Sequence, residues 1–377
     1  MRLRSLHLRH VRAHTDSRLE PASGLTLLVG PNGAGKTNVL EAAGYLGLGK
    51  SLLGAPDAHV MQRGATFLSV EGEIETERGS TTRVRVASMP SEGKRAFING
   101  TPAERLAALV GIVPFVFLSP ADHELTAGGP VERRRLLDVT LSFAYPVYLD
   151  DLMAYRRALQ QRNALLASVR RGGALPPGTL DAWDEELSVR GARLVDRRRA
   201  FVEALGGHLA DAFELLGVEG GAPGLRYAPS VADDGDAAAA LRAALRRTER
   251  RSRDTARTVV GPHLDEVVFS LGEHELRPYG SQGQHRTFAL ALRFAQALFL
   301  TRHRDEPPLL LLDDVFGTLD THRTDRVLAL LTAGTLGQSI VTAARAEPFA
   351  GRLTDRDAVF HVEHGTLTPA PSTAFAP

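Results

Sequence analysis

Gly30-Pro31-Asn32-Gly33-Ala34-Gly35-Lys36-Thr37 has the residue types and spacing to hold a polyphosphate. It fits G-x-x-x-x-G-K-[ST], a loop placed after a strand and before a helix. Leu25 to Val29 supplies the apolar strand, and residues 37–48 read as the helix. Glycines at Gly30, Gly33 and Gly35 let backbone N–H groups converge on phosphate oxygens without an intervening Cβ. Lys36 offers a point charge to the β- and γ-phosphates, and the Thr37 hydroxyl suits Mg²⁺. The helix start, through Asn38, adds the positive end of its dipole. The chemistry expected is nucleotide binding, with ATP and Mg²⁺ as cofactors.

A metal on such a loop needs a carboxylate. Pro308-Leu309-Leu310-Leu311-Leu312-Asp313-Asp314 provides one: a buried strand that ends in two acids. Open α/β sheets bind ligands at the carboxyl ends of their strands. Asp313 is therefore expected to hold Mg²⁺ through water, and Asp314 to orient or deprotonate the attacking water. Gly317-Thr318-Leu319-Asp320 follows. Upstream, Ser281-Gln282-Gly283-Gln284 opens a long helix. A Ser hydroxyl, a Gly and unpaired helix-start N–H groups suit a γ-phosphate; a plain helix cap would use the same serine. Ser-x-Gly-Gln resembles the signature motif of ABC-type ATPases, and the order of loop, signature, acid strand and Leu-Asp loop is the ABC order. That resemblance implies that Ser281, Gly283, Gln284 and Asp320 complete the nucleotide site of a second copy. The dimer is then held together by ATP.

These residues must be positioned by an α/β fold. Residues 3–12 read as a first strand, and residues 66–99 alternate as a small antiparallel meander appended to the nucleotide core. From Val131 the apolar period becomes helical. Leu187, Leu194 and Phe201 repeat every seventh residue, a coiled-coil-like seam. Gly172 to Gly178 breaks two helical arms of about 30 residues, each roughly 45 Å long. Strands return at Val267–Leu271, Leu309–Leu312 and Ser339–Thr342. The expected organisation is an ABC-type P-loop ATPase head with an antiparallel β meander plus a mostly α-helical second lobe. Its segments are 1–125 (head), 126–255 (helical lobe), 256–365 (head, with signature and acid strand) and 366–377 (disordered tail).

The composition is that of an ordinary globular protein, with 43% hydrophobic and 24% charged residues and no Cys. Thiolate metal sites and disulfides are excluded. Met1 to Ser5 lacks the apolar core of a signal peptide, and no run is long enough to span a membrane. A cytoplasmic protein without a membrane partner is expected. The net charge of +1 gives no global attraction to nucleic acid, so DNA binding would need local patches. Arg133 to Arg135, Arg197 to Arg199 and the arginines of 242–257 are the candidates. They suit sequence-independent phosphate contacts, although Arg133 to Arg135 could instead anchor the helical lobe.

Nearly the whole chain resembles the RecF family of DNA replication and repair proteins. The resemblance rests on Leu6-His7-Leu8-Arg9-His10-Val11-Arg12, the phosphate loop through Asn38, Gly49-Lys50-Ser51, Phe117 to Asp122, Gly129 to Asp138 and Thr258 to Glu266. It implies a head similar to those of SMC and Rad50 proteins, with Arg12 on the nucleotide. It also implies ATP-dependent dimerisation on double-stranded or gapped DNA, and slow, DNA-stimulated hydrolysis that releases the dimer. RecO and RecR mediators would be partners in loading RecA. Thr342 stands where many ABC ATPases carry a switch His, Gly317-Thr318 where the family usually shows Ser-Glu, and Asp122 is the nearest candidate for a metal-sensing Gln. The competing readings are the nucleotide-binding subunit of an ABC transporter and a non-catalytic ATP-sensing scaffold.

Overall fold

The computed structural model describes residues 1–170, 176, 178–218 and 220–370. It divides into two compact units. One comprises Met1–Asp122, Asp211–Glu219 and Ala289–Pro377; the other comprises His123–Ala210 and Gly220–Phe288.

The first unit carries two six-stranded sheets. The antiparallel one runs His14–Leu19, Arg2–Val11, Leu68–Glu75, Thr81–Met89, Gly93–Ile98, Thr101–Pro102. The expected meander is therefore not an appendage, because the first strand of the chain is its second member. The strand His14–Leu19 was not expected. Its inward residues are His14, Ser17 and Leu19, and two buried polar side chains hide the alternation that marks a strand.

The other sheet runs Thr366–Ala370, Ala358–Glu363, Leu25–Val29, Ser339–Ala343, Leu309–Asp313, Phe115–Leu118. All its pairs are parallel except the first. Leu25–Val29 and Ser339–Ala343 are buried at every position, as strands covered on both faces must be. The tail expected to be disordered from 366 instead pairs through Ala370 with Ala358–Glu363; the rest of it lies outside the described residues. The helix Lys36–Leu48 packs on strands of both sheets and is buried nearly all round. Gly47 permits this approach, since a Cβ there would lie 2.3 Å from the Val113 carbonyl oxygen.

The second unit holds the helices Pro130–Ala144, Pro146–Arg170, Ala237–Arg247 and Glu249–Thr255, and most of Asp181–Leu215. Leu187, Leu194 and Phe201 are all buried. The breaker between the two long helices falls largely outside the described residues. A three-stranded sheet, His274–Glu275, Glu266–Leu271, Pro223–Ala228, completes the unit. The sequence boundary at 255/256 and the structural one at 288/289 thus differ. The cause is the pairing of Glu266–Leu271 with Pro223–Ala228, together with the buried Arg133 guanidinium, which binds both oxygens of Glu266 at 2.7 and 2.8 Å.

Candidate phosphate-binding site

Register brings the site together. Strand pairing sets Asp313 opposite Thr342, and Thr342 opposite Leu28, two residues before the loop. Three strand ends then meet at one edge of the parallel sheet. Thr37 Oγ1 donates to Asp313 Oδ1 at 2.7 Å, and Thr342 Oγ1 donates to the same oxygen at 2.8 Å. Thr342 is fully buried, so its hydroxyl braces the carboxylate, and it also accepts from the Asp314 N–H at 3.0 Å. Asp314 is exposed and left-handed, φ 49°, a conformation that Asp and Asn tolerate better than most residues.

Lys36 Nζ donates to the Gly30 and Pro31 carbonyls at 2.7 and 3.0 Å. This holds the ammonium at the mouth of the loop. Burial lowers its pKa, and the nearby Asp314 and Asp313 carboxylates oppose that shift. Pro31, Asn32 and Gly33 are exposed, while Ala34 and Gly35 are buried. Gly33 and Gly35 have φ of 81° and 108°, left-handed values that glycine adopts without strain. The Asn38 N–H donates to Gly35 O at 3.0 Å, the first bond of the helix start.

The Thr37–Asp313 pair fits a hard divalent cation. Both groups offer hard oxygen donors, and their 2.7 Å hydrogen bond holds them side by side at the sheet edge. Among the described residues, no group of three or more His, Asp or Glu could cage a metal by itself. Mg²⁺ suits this two-ligand arrangement because it usually keeps waters and takes substrate phosphates as ligands.

The sequence reading missed His14. Its ring is fully buried, with Nε2 at 3.0 Å from Gly35 O and Nδ1 at 2.9 Å from Ser17 Oγ. A carbonyl only accepts, so Nε2 carries the proton. Desolvation lowers the pKa of the ring, and the Gly35 and Gly365 carbonyls oppose that shift. Ser17 Oγ donates to Gly365 O at 2.6 Å, and the Gly365 N–H donates to Ala34 O at 3.0 Å. The phosphate loop is thus pinned from behind by residues remote in sequence. Replacing His14 with Phe keeps the volume but removes the ring's bond to Gly35 O, leaving that oxygen to the helix-start N–H of Asn38. A hydrogen bond contributes about 0.5–1.5 kcal/mol net, and ATP affinity is expected to fall by up to about tenfold if roughly 1.4 kcal/mol of that reaches the loop. Calorimetric titration and thermal melting measure the two effects; unchanged values in both would remove His14 from this role.

Arg12 is engaged with the chain itself. Its guanidinium binds both oxygens of Glu41, at 2.9 and 3.2 Å, and the His59 carbonyl at 2.7 Å. Glu41 is fully buried and also accepts from Ser51 Oγ. Arg12 therefore fixes the helix that follows the phosphate loop. Asp122 binds Arg293 through both its oxygens, at 2.6 and 3.2 Å. Asp320 is exposed and caps the helix Thr321–Thr332 by accepting from the Arg323 N–H at 2.8 Å.

The signature residues form a separate constellation in the second unit. Ser281 Oγ accepts from the Gln284 N–H at 3.2 Å, and Gln284 Oε1 accepts from the Ser281 N–H at 2.8 Å. This is a reciprocal capping box at the start of Gln282–Arg304. The capping reading is thus realised. It leaves Ser281, Gly283 and Gln284 exposed, with the Ser281 hydroxyl proton still able to donate.

Two of the three basic clusters serve the fold. Beyond Glu266, Arg133 donates to the Leu125 and Gly128 carbonyls, and Arg134 to the Asp265 carbonyl. Arg198 is buried against Asp138, Asp265, Tyr148 and the Pro262 carbonyl. Arg199 pairs with Asp233 at 2.6 Å, and Arg197 lies 4.7 Å from the centre of the Tyr145 ring.

Residues 2–368 match the family described as RecF/RecN/SMC N terminal domain. The chain is similar to the DNA replication and repair protein RecF of Salinibacter ruber, 46% identical over 93% of this chain and 86% of that one. The RecF protein of Chloroherpeton thalassium is 37% identical, over 93% and 96% of the two chains. Among solved structures, the recombination mediator protein RecF-ATPrS of the RecFOR pathway superposes with a TM-score of 0.89 at 26% identity, covering 98% of each chain. An Smc head bound to the C-winged helix domain of ScpA shares the fold, with a TM-score of 0.56 at 16% identity over 98% and 97% of the two chains. No helix among the described residues is long and apolar enough to cross a membrane.

Proposed function

The chain belongs to the RecF family of DNA replication and repair proteins, and from that premise we propose that it is an ATP-driven DNA-binding ATPase whose nucleotide is shared between two copies. The observation that carries this reading is the convergence of Thr37 and Thr342 on one oxygen of Asp313, with Lys36 Nζ held at the loop mouth. The carboxylate, the hydroxyl and the ammonium that a Mg²⁺–triphosphate needs are in place. Preorganised groups of this kind require little rearrangement when charge develops on the phosphate.

On this reading Lys36 and the loop amides bind the β- and γ-phosphates of ATP, and Thr37 and Asp313 hold Mg²⁺. The ion, when bound, neutralises phosphate charge. Asp314, at the open edge, positions or deprotonates the attacking water. Thr342 keeps Asp313 in place. Ser281, Gly283 and Gln284, exposed at a helix start, meet the γ-phosphate bound by a second copy, so that ATP joins the two chains. Hydrolysis is slow and DNA-stimulated, and it dissolves the dimer. The partners are double-stranded or gapped DNA without sequence preference, and RecR- and RecO-type mediators that help to load RecA. The fold and the relatives favour this over a transporter subunit.

Light scattering tests the shared site. Wild-type protein is expected to double in mass at saturating ATP. Ser281→Arg keeps ATP affinity but stays single, because a bulky cation replaces the small donor at the shared phosphate. A wild-type protein that remains single with nucleotide bound, or a Ser281→Arg variant that still pairs, removes the shared-site reading.

A further inference from the structure

We propose that the segment from Arg246 to Arg257 is the surface on which this protein holds the phosphate backbone of duplex DNA. The inference rests on the reading of DNA as the partner, and it assigns the residues that make the contact.

The structure sorts the arginines. In the two triplets the guanidiniums are bound by carboxylates, carbonyls or a ring, Arg135 pairing with Glu132 at 3.7 Å. In the third cluster, Arg242 is held by Glu185 at 2.6 Å and Arg253 by Glu249 at 2.5 Å. Arg246, Arg247, Arg250, Arg251 and Arg257 are exposed, and none of their guanidiniums makes an ion pair or hydrogen bond among the described residues. Asp254 is the one exposed carboxylate within 246–257. Arg246 and Arg247 also sit in the last turn of Ala237–Arg247, where a cation complements the helix dipole. That accounts for two of the five and leaves Arg250, Arg251 and Arg257 unexplained by the fold.

The segment is anchored, not loose. Asp236 caps its first helix by accepting from the Ala239 N–H at 2.9 Å. Leu241, Ala244, Leu245 and Ser252 are buried. At its far end Thr258 is tied to the long helix Pro146–Arg170. Its N–H and hydroxyl donate to Asn163 Oδ1 at 2.8 and 2.7 Å, and it accepts from Arg162 at 3.1 Å. Arg162 is itself fully buried and paired with Asp184 at 2.6 Å. The two short helices thus have one face fixed in the unit and present their arginines on the other. Guanidiniums held this way contact phosphates without regard to sequence, since no aromatic or amide side chains accompany them for base readout. An acidic protein surface would meet the same charges, but the spread of four cations along two helices, with Arg257 just beyond them, suits a backbone with a regular charge spacing.

The test is duplex binding by fluorescence anisotropy across a salt series, with ATP present and random-sequence DNA as the probe. The variant combines Arg246→Ala, Arg247→Ala, Arg250→Ala and Arg251→Ala. Each lost phosphate contact lowers the slope of log affinity against log salt by about 0.9. The slope is expected to fall by roughly 3 to 4, with affinity lower by on the order of 10²-fold at about 0.1 M salt. The matching Lys variant restores the slope, because a point charge is sufficient for counterion release. Arg251→Glu alone, a single change of an exposed side chain, weakens binding about tenfold. ATP affinity and melting temperature stay at wild-type values in every case. Unchanged DNA affinity and slope in folded variants overturn the assignment and leave the patch to an acidic protein partner. A wild-type protein that binds ATP but no duplex overturns the DNA reading itself, which separates the two failures.

Discussion

Lys36→Met abolishes ATP binding. Methionine matches the length of the lysine side chain, and the loop keeps its shape through the His14 and Gly365 contacts behind it. What is lost is the ammonium that the Gly30 and Pro31 carbonyls hold at the loop mouth. Its bonds to phosphate oxygens are charge-assisted and worth about 1.5–3 kcal/mol each. Losing two of them weakens affinity by roughly 10² to 10⁴-fold. Calorimetric titration measures this directly. On the proposed mechanism duplex affinity in the presence of ATP also drops to its nucleotide-free level, because no dimer forms. ATP affinity within about threefold of wild type, well under one kcal/mol, would mean that the loop amides alone hold the triphosphate. DNA affinity that still responds to ATP would disconnect the two activities.

Asp314→Asn separates binding from chemistry. The residue is in the left-handed region, which Asn occupies as readily as Asp. Its backbone N–H stays bonded to the Thr342 carbonyl and hydroxyl, at 3.2 and 3.0 Å. The substitution therefore leaves the strand end, Asp313 and the metal ligands in place and removes only a basic oxygen. General-base catalysis contributes about 10² to 10⁴-fold, so single-turnover hydrolysis is expected to slow by at least about 10²-fold. ATP affinity persists, and the ATP-bound dimer outlives that of the wild type. A hydrolysis rate that does not move would assign the base elsewhere and favour an ATP-sensing scaffold in which turnover is incidental.

The nucleotide loop and the acid strand were legible in the sequence because each is a run of consecutive residues whose chemistry is local. A strand, a glycine pattern and a lysine specify a phosphate cradle wherever they occur. The signature serine was legible too, but as two readings at once. The structure shows its capping half directly, through the reciprocal bonds of Ser281 and Gln284. Arg12 illustrates the opposite case: nothing local announces that its guanidinium binds the buried Glu41 and the His59 carbonyl.

The sequence by itself determined which residues can bind phosphate and metal, and the α/β class that must carry them. Only the tertiary structure decided that Thr342 and Thr37 share an oxygen of Asp313, that His14 backs the loop, and which arginines face inward. An arginine reads the same whether it is solvated or buried. Its fate depends on a carboxylate that lies 67 residues away for Arg198 and Asp265, and 133 for Arg133 and Glu266. Burying a charge is affordable only where such a partner arrives with matching geometry, and no local pattern encodes that arrival.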